Sequence, residues 1–139
     1  MIQNQIYLHK LGTNQDEDKL IYKESDNEFN IWLSESRTKK YIYVYIEKTN
    51  SSEVWLMDKS DPLKPLELVL KRSEGHLYSV EDGGDYFYAL SNHNDAKNFK
   101  VMRFKGTDFN DIDKWQNVLD DRETHYTVSY THLTLPTRS

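Results

Sequence analysis

Short segments in which apolar and polar residues alternate recur along the whole chain, and turn residues separate them. Segments such as YIYVYIEK (41–48) and EVWLMDK (53–59) show the two-residue period of a half-buried β-strand. Ten Tyr, three Trp and five Phe are spread through these segments, which is a composition typical of sheets. Helical spacing is nowhere sustained beyond one turn. The sequence therefore predicts an all-β chain.

The order of these segments repeats along the chain. Corresponding residues of successive strand sets are separated by 44 to 50 residues, which matches a four-stranded propeller blade with its repeat of about 40–50 residues. The predicted correspondences are Tyr43 with Phe87, Val54 with Val101, and Leu68 with Val118. We expect a partial β-propeller with two complete four-stranded antiparallel blades at 29–72 and 77–120, preceded by the outer half of a third blade at 5–24. A β-sandwich with evenly spaced strands is the alternative.

This count of blades is too small for a closed ring. Propellers need about four blades or more to close, and closure is what protects the strand edges. Two and a half blades leave sheet faces and backbone donors open at both ends. We therefore expect residues 1–127 to form an incomplete β-propeller, cut from a larger protein, with Met1 as an internal methionine or a chance start.

Charge and composition exclude several classes of partner and chemistry. Eighteen basic and 23 acidic residues give a net charge of −5 without a basic stripe, so no nucleic-acid partner is expected. No apolar run approaches the ~18 residues that span a bilayer, so no membrane partner is expected. The absence of cysteine excludes disulfides, thiolate metal sites and cysteine nucleophiles from this chain and favours a cytoplasmic setting.

The residues that most often bind metals or ligands show no suitable spacing. The five histidines lack the i, i+4 or H-x-H pattern of a shared metal, and the acidic turns at 16–19 and 108–113 lack the glycine and terminal glutamate of a calcium loop. Both turns are interpreted as solvated. The tryptophans are interpreted as core or blade-to-blade contacts rather than as a stacking platform. We expect no metal and no cofactor. The residues weighed are His9, His76, His93, His125, His132, Trp32, Trp55 and Trp115.

A serine hydrolase of the α/β type needs a G-x-S-x-G elbow to expose its nucleophile at a strand-to-helix turn. None of the five glycines forms that motif, and no alternation of strands and helices is present to carry it. We therefore expect no catalytic residue in this chain. The glycines are Gly12, Gly75, Gly83, Gly84 and Gly106.

Three segments resemble the N-terminal propeller of the prolyl oligopeptidase family of serine peptidases. They are IYLHKLGTNQDEDKLIYKE (6–24), SRTKKYIYVYIEKTNSSEVWLMD (36–58) and EGHLYSVEDGGDYFYALSNHNDAKNFKVMRF (74–104). The likeness is strongest to the oligopeptidase B (protease II) branch, through Ser51-Ser52-Glu53-Val54, residues 77–82, and the segments 87–92 and 96–99. DDRE (120–123) is similar to the family's link into a further blade.

This resemblance implies a fragment of a substrate-gating propeller domain, which in the family covers the active site of a serine-type endopeptidase. In the oligopeptidase B branch, the parent enzyme hydrolyses short peptides after Lys or Arg. The resemblance places the catalytic residues in an α/β-hydrolase domain of the same parent chain, so the fragment itself is expected to be inert. The alternatives are the prolyl-specific branch of the family and a non-enzymatic β-propeller that binds a protein partner.

The last residues differ from the rest of the chain. VSYTHLTLPT (128–137) resembles the translation of a transposase sequencing adapter at ten consecutive positions. We expect residues 128–139 to be a non-native, adapter-derived tail without function. The alternative is a native strand pair formed by HYTVSY and HLTLP.

Overall fold

A computed structural model describes residues 5–94 and 97–118 of the chain. The predicted tail at 128–139, the DDRE segment, His125 and His132 lie outside these residues. The described part contains ten strands, named β1 to β10 in chain order. They are β1 (Gln5–Leu8), β2 (Lys19–Lys23), β3 (Asn30–Glu35), β4 (Tyr41–Lys48), β5 (Ser51–Asp58), β6 (Glu67–Leu70), β7 (Tyr78–Asp82), β8 (Phe87–Ser91), β9 (Lys100–Phe104) and β10 (Gln116–Asn117).

Every strand pairs with a neighbour in sequence, and every pairing is antiparallel. Strands β3-β4-β5-β6 form one four-stranded sheet, here called blade 1, and β7-β8-β9-β10 form a second, here called blade 2. Strands β1 and β2 form a two-stranded sheet, here called the half blade. The predicted all-β fold with two four-stranded blades and half of a preceding one is confirmed.

Short 3₁₀ segments lie in the connections, at Gln15–Glu17, Gly106–Asp108 and Ile112–Lys114. No helix in the described residues is long and apolar enough to cross a bilayer.

The sheets pack face to face at two interfaces, because alternate residues of each strand point to opposite faces. The larger interface lies between blades 1 and 2 and is here called the second seam. Its buried residues include Tyr43, Tyr45 and Val54 of blade 1 with Tyr78 and Phe87 of blade 2. The first seam lies between the half blade and blade 1. There the buried Phe29, Val44 and Ile46 are packed by Ile6, Tyr22 and Trp55.

The two faces of β4 explain how one strand serves both seams. Tyr43 and Tyr45 belong to the second-seam core, whereas Val44 and Ile46 belong to the first-seam core. In β8, however, Phe87 points back toward blade 1. The predicted correspondence of Tyr43 with Phe87 is therefore wrong by one residue, since these side chains lie on opposite faces of their blades. Tyr88 occupies the position that matches Tyr43.

Candidate functional site

The second seam is joined by tyrosine hydroxyls that reach backbone groups of the opposite blade. The Tyr78 hydroxyl of blade 2 accepts a hydrogen bond from the Val54 backbone N–H at 2.9 Å and donates one to the Leu70 carbonyl. Val54 and Leu70 face each other where the register between β5 and β6 shifts. The register shift disrupts the hydrogen bonds between β5 and β6 at this point. The hydroxyl from the neighbouring blade supplies hydrogen-bond partners to the two backbone groups instead.

Blade 1 makes the reciprocal contacts, because the hydroxyls of two tyrosines of β4 bind groups of blade 2. The Tyr45 hydroxyl donates to the Val80 carbonyl at 3.2 Å and accepts from the Val80 N–H at 3.1 Å. The Tyr43 hydroxyl accepts from the Asp82 N–H at 2.7 Å and donates to the Glu81 carboxylate at 3.1 Å. Burial, as the largest cause, raises the pKa of Tyr43 above its ordinary range, so the hydroxyl stays a neutral donor and acceptor.

The connection between β9 and β10 also belongs to the second seam. Phe109 packs at right angles to Phe87, with 5.3 Å between the ring centroids. The Asn110 backbone N–H donates to the Val69 carbonyl at 2.7 Å, and its side-chain oxygen accepts from the Lys71 N–H at 3.1 Å. The interpretation of residues 108–113 as a solvated turn is wrong for Phe109, which packs against the second-seam core. Asn110 is exposed, as that interpretation requires, and its hydrogen bonds anchor the connection on blade 1.

The first seam is joined by a partly buried group of charges. Arg72, at the end of blade 1, binds the carboxylates of Glu24 from the half blade and Glu53 from β5, the latter at 2.8 Å. Its guanidinium carbon also lies 3.9 Å from the centroid of the Phe29 ring. Glu24 is 7% exposed and Glu53 is 5% exposed. One planar guanidinium with several donors can satisfy two carboxylates at once, which a lysine cannot do with the same geometry.

Burial alone would raise the pKa of Glu24. Hydrogen bonds from Arg72, from the Asp26 backbone and from the Tyr22 hydroxyl outweigh it and hold the pKa below its usual 4.5. The same carboxylates raise the pKa of Arg72 against the effect of its burial. Glu24 and Arg72 therefore stay ionised at neutral pH, and their ion pair links the half blade to blade 1.

A histidine and a serine lie in contact inside blade 2. His76 Nε2 and the Ser91 hydroxyl are 2.7 Å apart, and Ser91 is fully buried at 0% exposure. Burial, with a smaller contribution from His93, lowers the pKa of His76 to about 4. No substrate atom can reach a fully buried hydroxyl, so this pair cannot act as a nucleophile with its base. It fixes β7 to β8.

Each seam also opens into a surface groove. The second-seam groove has a volume of about 160 Å³ and combines Tyr41, Leu56 and Phe87 with the acids Glu67 and Asp85. The first-seam groove has a volume of about 350 Å³. Its lining is mostly apolar with two lysines: Lys19, Leu20, Ile21, Tyr22, Trp55, Pro62, Lys64, Pro65 and Leu66.

The structure separates the three tryptophans. Trp32 stacks on Tyr45 at 4.1 Å, Trp115 stacks on Phe104 at 4.0 Å, and Trp55 lies on the first-seam face beside Tyr22. Their interpretation as core and blade-to-blade contacts is confirmed.

The described histidines and acidic turns do not come together as a metal site. His9 contacts Asp18 at 2.6 Å, far along the chain from His76 and His93, whose ring centroids are 5.6 Å apart. Within residues 5–94 and 97–118 no group of three or more His, Asp or Glu side chains could hold a metal. The prediction that the chain carries no catalytic, cofactor or metal residue stays a prediction.

Sequence reasoning missed the residues that join the seams. Arg72 and Glu24 are 48 residues apart, so no local pattern relates them. The signal that was available is the placement of acids inside otherwise apolar strand segments, as in SSEVW, because a buried carboxylate requires a partner.

The seams, the four-stranded blades and their register can be compared with known proteins. The family described as prolyl oligopeptidase, N-terminal beta-propeller domain, matches residues 2–137. That range includes residues 128–137 of the predicted tail, whose adapter origin stays a prediction. Protease 2 of Moraxella lacunata is 36% identical over 122 residues, which is 88% of this chain and 17% of that protein. The human protein named prolyl endopeptidase-like is 33% identical over 98 residues, 70% of this chain and 13% of its own length.

Solved structures agree with these relatives. Oligopeptidase B from Trypanosoma brucei, in a closed form with covalently bound antipain, superposes with a TM-score of 0.73 at 29% identity and covers 85% of this chain. Oligopeptidase B from Leishmania major superposes with a TM-score of 0.76 at 24% identity, which supports the fold. This chain spans 17% of the Trypanosoma protein and 16% of the Leishmania protein. The chain belongs to the prolyl oligopeptidase family and is part of that family's N-terminal β-propeller domain.

Proposed function

We propose that this chain is a section of the substrate-gating propeller of an oligopeptidase B-like serine-type endopeptidase, which hydrolyses short peptides after Lys or Arg. The observation that carries the proposal is the 36% identity to Protease 2 across 88% of the chain. The Ser51-Ser52-Glu53-Val54 motif supports this branch, because it resembles the form found in oligopeptidase B. Its Glu53 binds Arg72 at the first seam.

The proposed catalytic machinery lies in an α/β-hydrolase domain of the same parent chain. The sequence lacks a G-x-S-x-G elbow, and the His76–Ser91 pair is closed to substrate. The section alone is therefore inert. Its proposed partners are the hydrolase domain and short peptides, with no nucleic acid, membrane or cofactor, and its proposed location is the cytoplasm.

A gating role suits the way the blades are joined. Hydroxyl-to-backbone bonds at the second seam and the Arg72 group at the first hold neighbouring sheets in fixed relation. A wall of this kind can exclude large substrates by size while it contributes no reacting group. The related oligopeptidase B from Trypanosoma brucei has a closed form, which is consistent with an entrance that shuts.

The prolyl-specific branch is the second candidate. Its support is the set of prolyl endopeptidase-like relatives, at 33% identity over 70% of the chain for the human protein. A third reading, a non-enzymatic propeller that binds a protein partner, predicts that the parent gene continues with blade repeats and ends without a G-x-S-x-G segment.

One experiment separates these candidates. The uninterrupted gene is recovered from the source DNA, and the encoded protein is assayed on matched fluorogenic amides of arginine, lysine and proline. We expect cleavage after Arg and Lys, abolished when the serine of the G-x-S-x-G segment is replaced by alanine. Cleavage after proline would move the protein to the second candidate, and no hydrolysis of any amide would refute a peptidase. The 139-residue chain, assayed in parallel, should cleave none of them.

A further inference from the structure

The first-seam groove is more open than the equivalent place at the second seam. In each case the connection before the last strand of a blade approaches the last strand of the preceding sheet. At the second seam Phe109 packs against the core, and the Asn110 N–H donates to the Val69 carbonyl at 2.7 Å. At the first seam the Leu63 carbonyl accepts a long hydrogen bond of 3.4 Å from the Lys19 ammonium, and Leu63 is 64% exposed. The first-seam groove is correspondingly larger, at about 350 Å³ against about 160 Å³.

Two aromatic rings line this groove, and their polar atoms already have partners. The rings of Tyr22 and Trp55 lie with their centroids 5.7 Å apart, tilted by 54°. The Tyr22 hydroxyl donates to the Glu24 carboxylate at 2.9 Å, and the Trp55 indole N–H donates to the Glu53 carboxylate at 2.6 Å. Because Arg72 binds both carboxylates, the two rings are fixed in place. Their faces therefore form a preset apolar surface for another flat ring.

The wall of the groove on the blade 1 side is stiff. Pro62 and Pro65 both line it, and the proline ring fixes φ at about −65°. Leu66, which also lines the groove, packs against the first-seam core and so holds this wall to blade 1. A wall of this kind loses little conformational freedom when a ligand binds, which favours affinity for a small molecule.

The charged residues among those that line the groove are both cations, Lys19 and Lys64. Within residues 5–94 and 97–118, neither ammonium forms an ion pair. The pKa of Asp58 is lowered chiefly by hydrogen bonds from Ser60 and to a smaller degree by the charge of Lys64, so this carboxylate neutralises Lys64 only weakly. In a chain with a net charge of −5, the groove is thus a local site of positive charge. An anionic ligand complements it.

We propose that the first-seam groove binds a small organic anion with an aromatic body and one carboxylate. The aromatic body lies on Tyr22 and Trp55, and the carboxylate pairs with Lys19 and Lys64. The groove volume of about 350 Å³ lies within the range of about 300–1,000 Å³ that is usual for ligand pockets. The inference goes beyond the proposed function, which gives this groove no role.

The first test measures the binding of naphthylacetate by isothermal titration calorimetry. The protein encoded by the uninterrupted gene is used, at about 0.15 M salt to screen long-range charge effects. We expect one-site binding with a dissociation constant below about 1 mM, the affinity that a ligand of this size can reach. Naphthylethanol, a neutral molecule of nearly the same shape, should bind about fivefold more weakly, because it cannot pair with the two lysines.

The second test removes the two positive charges. The double variant Lys19→Gln, Lys64→Gln should weaken the binding of naphthylacetate by about fivefold and leave that of naphthylethanol unchanged. Lys23→Gln is the matched control, since Lys23 lies on the same strand as Lys19 and is exposed but does not line the groove. It should leave both affinities unchanged. Circular dichroism checks that the variants are folded.

A third measurement locates the ligand in the unaltered protein and does not depend on the folding of a variant. A benzoic acid that carries a trifluoromethyl diazirine is activated by light, and the labelled peptides are identified by mass spectrometry. We expect label within residues 19–22 or 62–66, and excess naphthylacetate should suppress it.

Several results would overturn the proposal. They are equal affinity for naphthylethanol, an equal loss of affinity in Lys23→Gln, or label confined to other parts of the protein. Binding by the 139-residue chain but not by the longer protein would show that a segment of the parent covers the groove, which also overturns it. Peptidase activity is measured separately, so its absence refutes the proposed function and leaves the groove proposal standing.

Discussion

The Tyr78 hydroxyl lies 2.9 Å from the backbone nitrogen of Val54, although the two residues belong to different blades. Tyr78 is 2% exposed and Val54 is 0% exposed, so neither group has water as an alternative partner. A backbone hydrogen bond that would normally close within one sheet is thus supplied by the neighbouring sheet. The two blades are therefore joined by a hydrogen bond to the backbone as well as by apolar packing.

Replacement of Tyr78 by phenylalanine tests this linkage. The ring is retained, but the Val54 N–H and the Leu70 carbonyl lose the hydroxyl that serves both. We expect the free energy of unfolding to fall by about 1–3 kcal/mol, the cost of buried groups left without a partner. Urea unfolding followed by tryptophan fluorescence at sub-micromolar concentration measures it. Tyr7→Phe, at a residue that is 52% exposed, is the matched control and should change little. Equal effects of the two variants would contradict the role of Tyr78.

Arg72 provides the corresponding test for the first seam. Arg72→Ala leaves Glu24 and Glu53 without their shared cation, and removal of one partner of a buried ion pair costs about 3–5 kcal/mol. Because Arg72 keeps a side-chain exposure of 25%, we expect a loss toward the lower end of that range. Arg72→Lys should recover only part of it, since an ammonium cannot form the same fork.

The control for Arg72 is Lys59→Ala, which breaks the exposed ion pair with Glu35 and should be nearly silent. Denaturant midpoints of the three variants are compared under one set of conditions. A silent Arg72→Ala would show that apolar packing alone joins the half blade to blade 1.

The pKa of His76 predicts how stability responds to acid. The unfolded chain protonates this residue near its ordinary pKa of 6.5, whereas the folded chain does so only near about 4. The unfolded state therefore binds more protons in this window, and stability falls as pH decreases through it. Between about pH 6.5 and pH 5 we expect a slope of at most about 1.4 kcal/mol per pH unit from this residue.

His76→Gln should flatten this part of the pH profile. Carboxylates such as Glu24 lose their contribution only at lower pH, because the pKa of Glu24 is held below 4.5. Unfolding free energies from urea titrations across the window give the slopes. Identical slopes for the wild-type chain and His76→Gln would contradict the assignment.

The open sheet faces predict how this part of the propeller behaves in the absence of further blades. A chain ended at Glu123 retains both seams. Within residues 5–94 and 97–118, no further sheet covers the side of blade 2 opposite blade 1 or the outer side of the half blade. We expect β-rich circular dichroism together with concentration-dependent association on size exclusion, because uncovered edges and faces pair with other copies. A sharp monomeric peak at all concentrations would contradict this expectation.

The strand order could be predicted from the sequence because alternation and turn residues are local signals. YIYVYIEK (41–48) is β4 to the residue, whereas the predicted segment EVWLMDK (53–59) matches β5 only in part, because β5 begins at Ser51 and ends at Asp58. The face of each strand was harder to predict. A repeat offset of 44 pairs Tyr43 with Phe87, but the ladder pairs place Tyr88 in that position, and a shift of one residue reverses the face.

The contacts between blades could not be predicted from local patterns. Tyr78 and Val54 are separated by 24 residues, and Arg72 and Glu24 by 48. Asn110 lies within the acidic segment 108–113, which has the composition of a solvated turn, yet it binds Val69 and Lys71 of blade 1. Such contacts depend on which sheet faces meet, which only the assembled fold determines.

These sheets are consecutive blades of a β-propeller, and we propose that the catalytic domain lies elsewhere in the parent chain. The most direct measurement is a crystal structure of the protein encoded by the uninterrupted gene. We expect β3–β6 and β7–β10 to form adjacent blades, with the Tyr43 hydroxyl accepting a hydrogen bond from the Asp82 N–H, and the serine nucleophile to lie in a separate α/β domain. A self-contained sandwich or barrel formed by these strands, or a nucleophile within them, would contradict it.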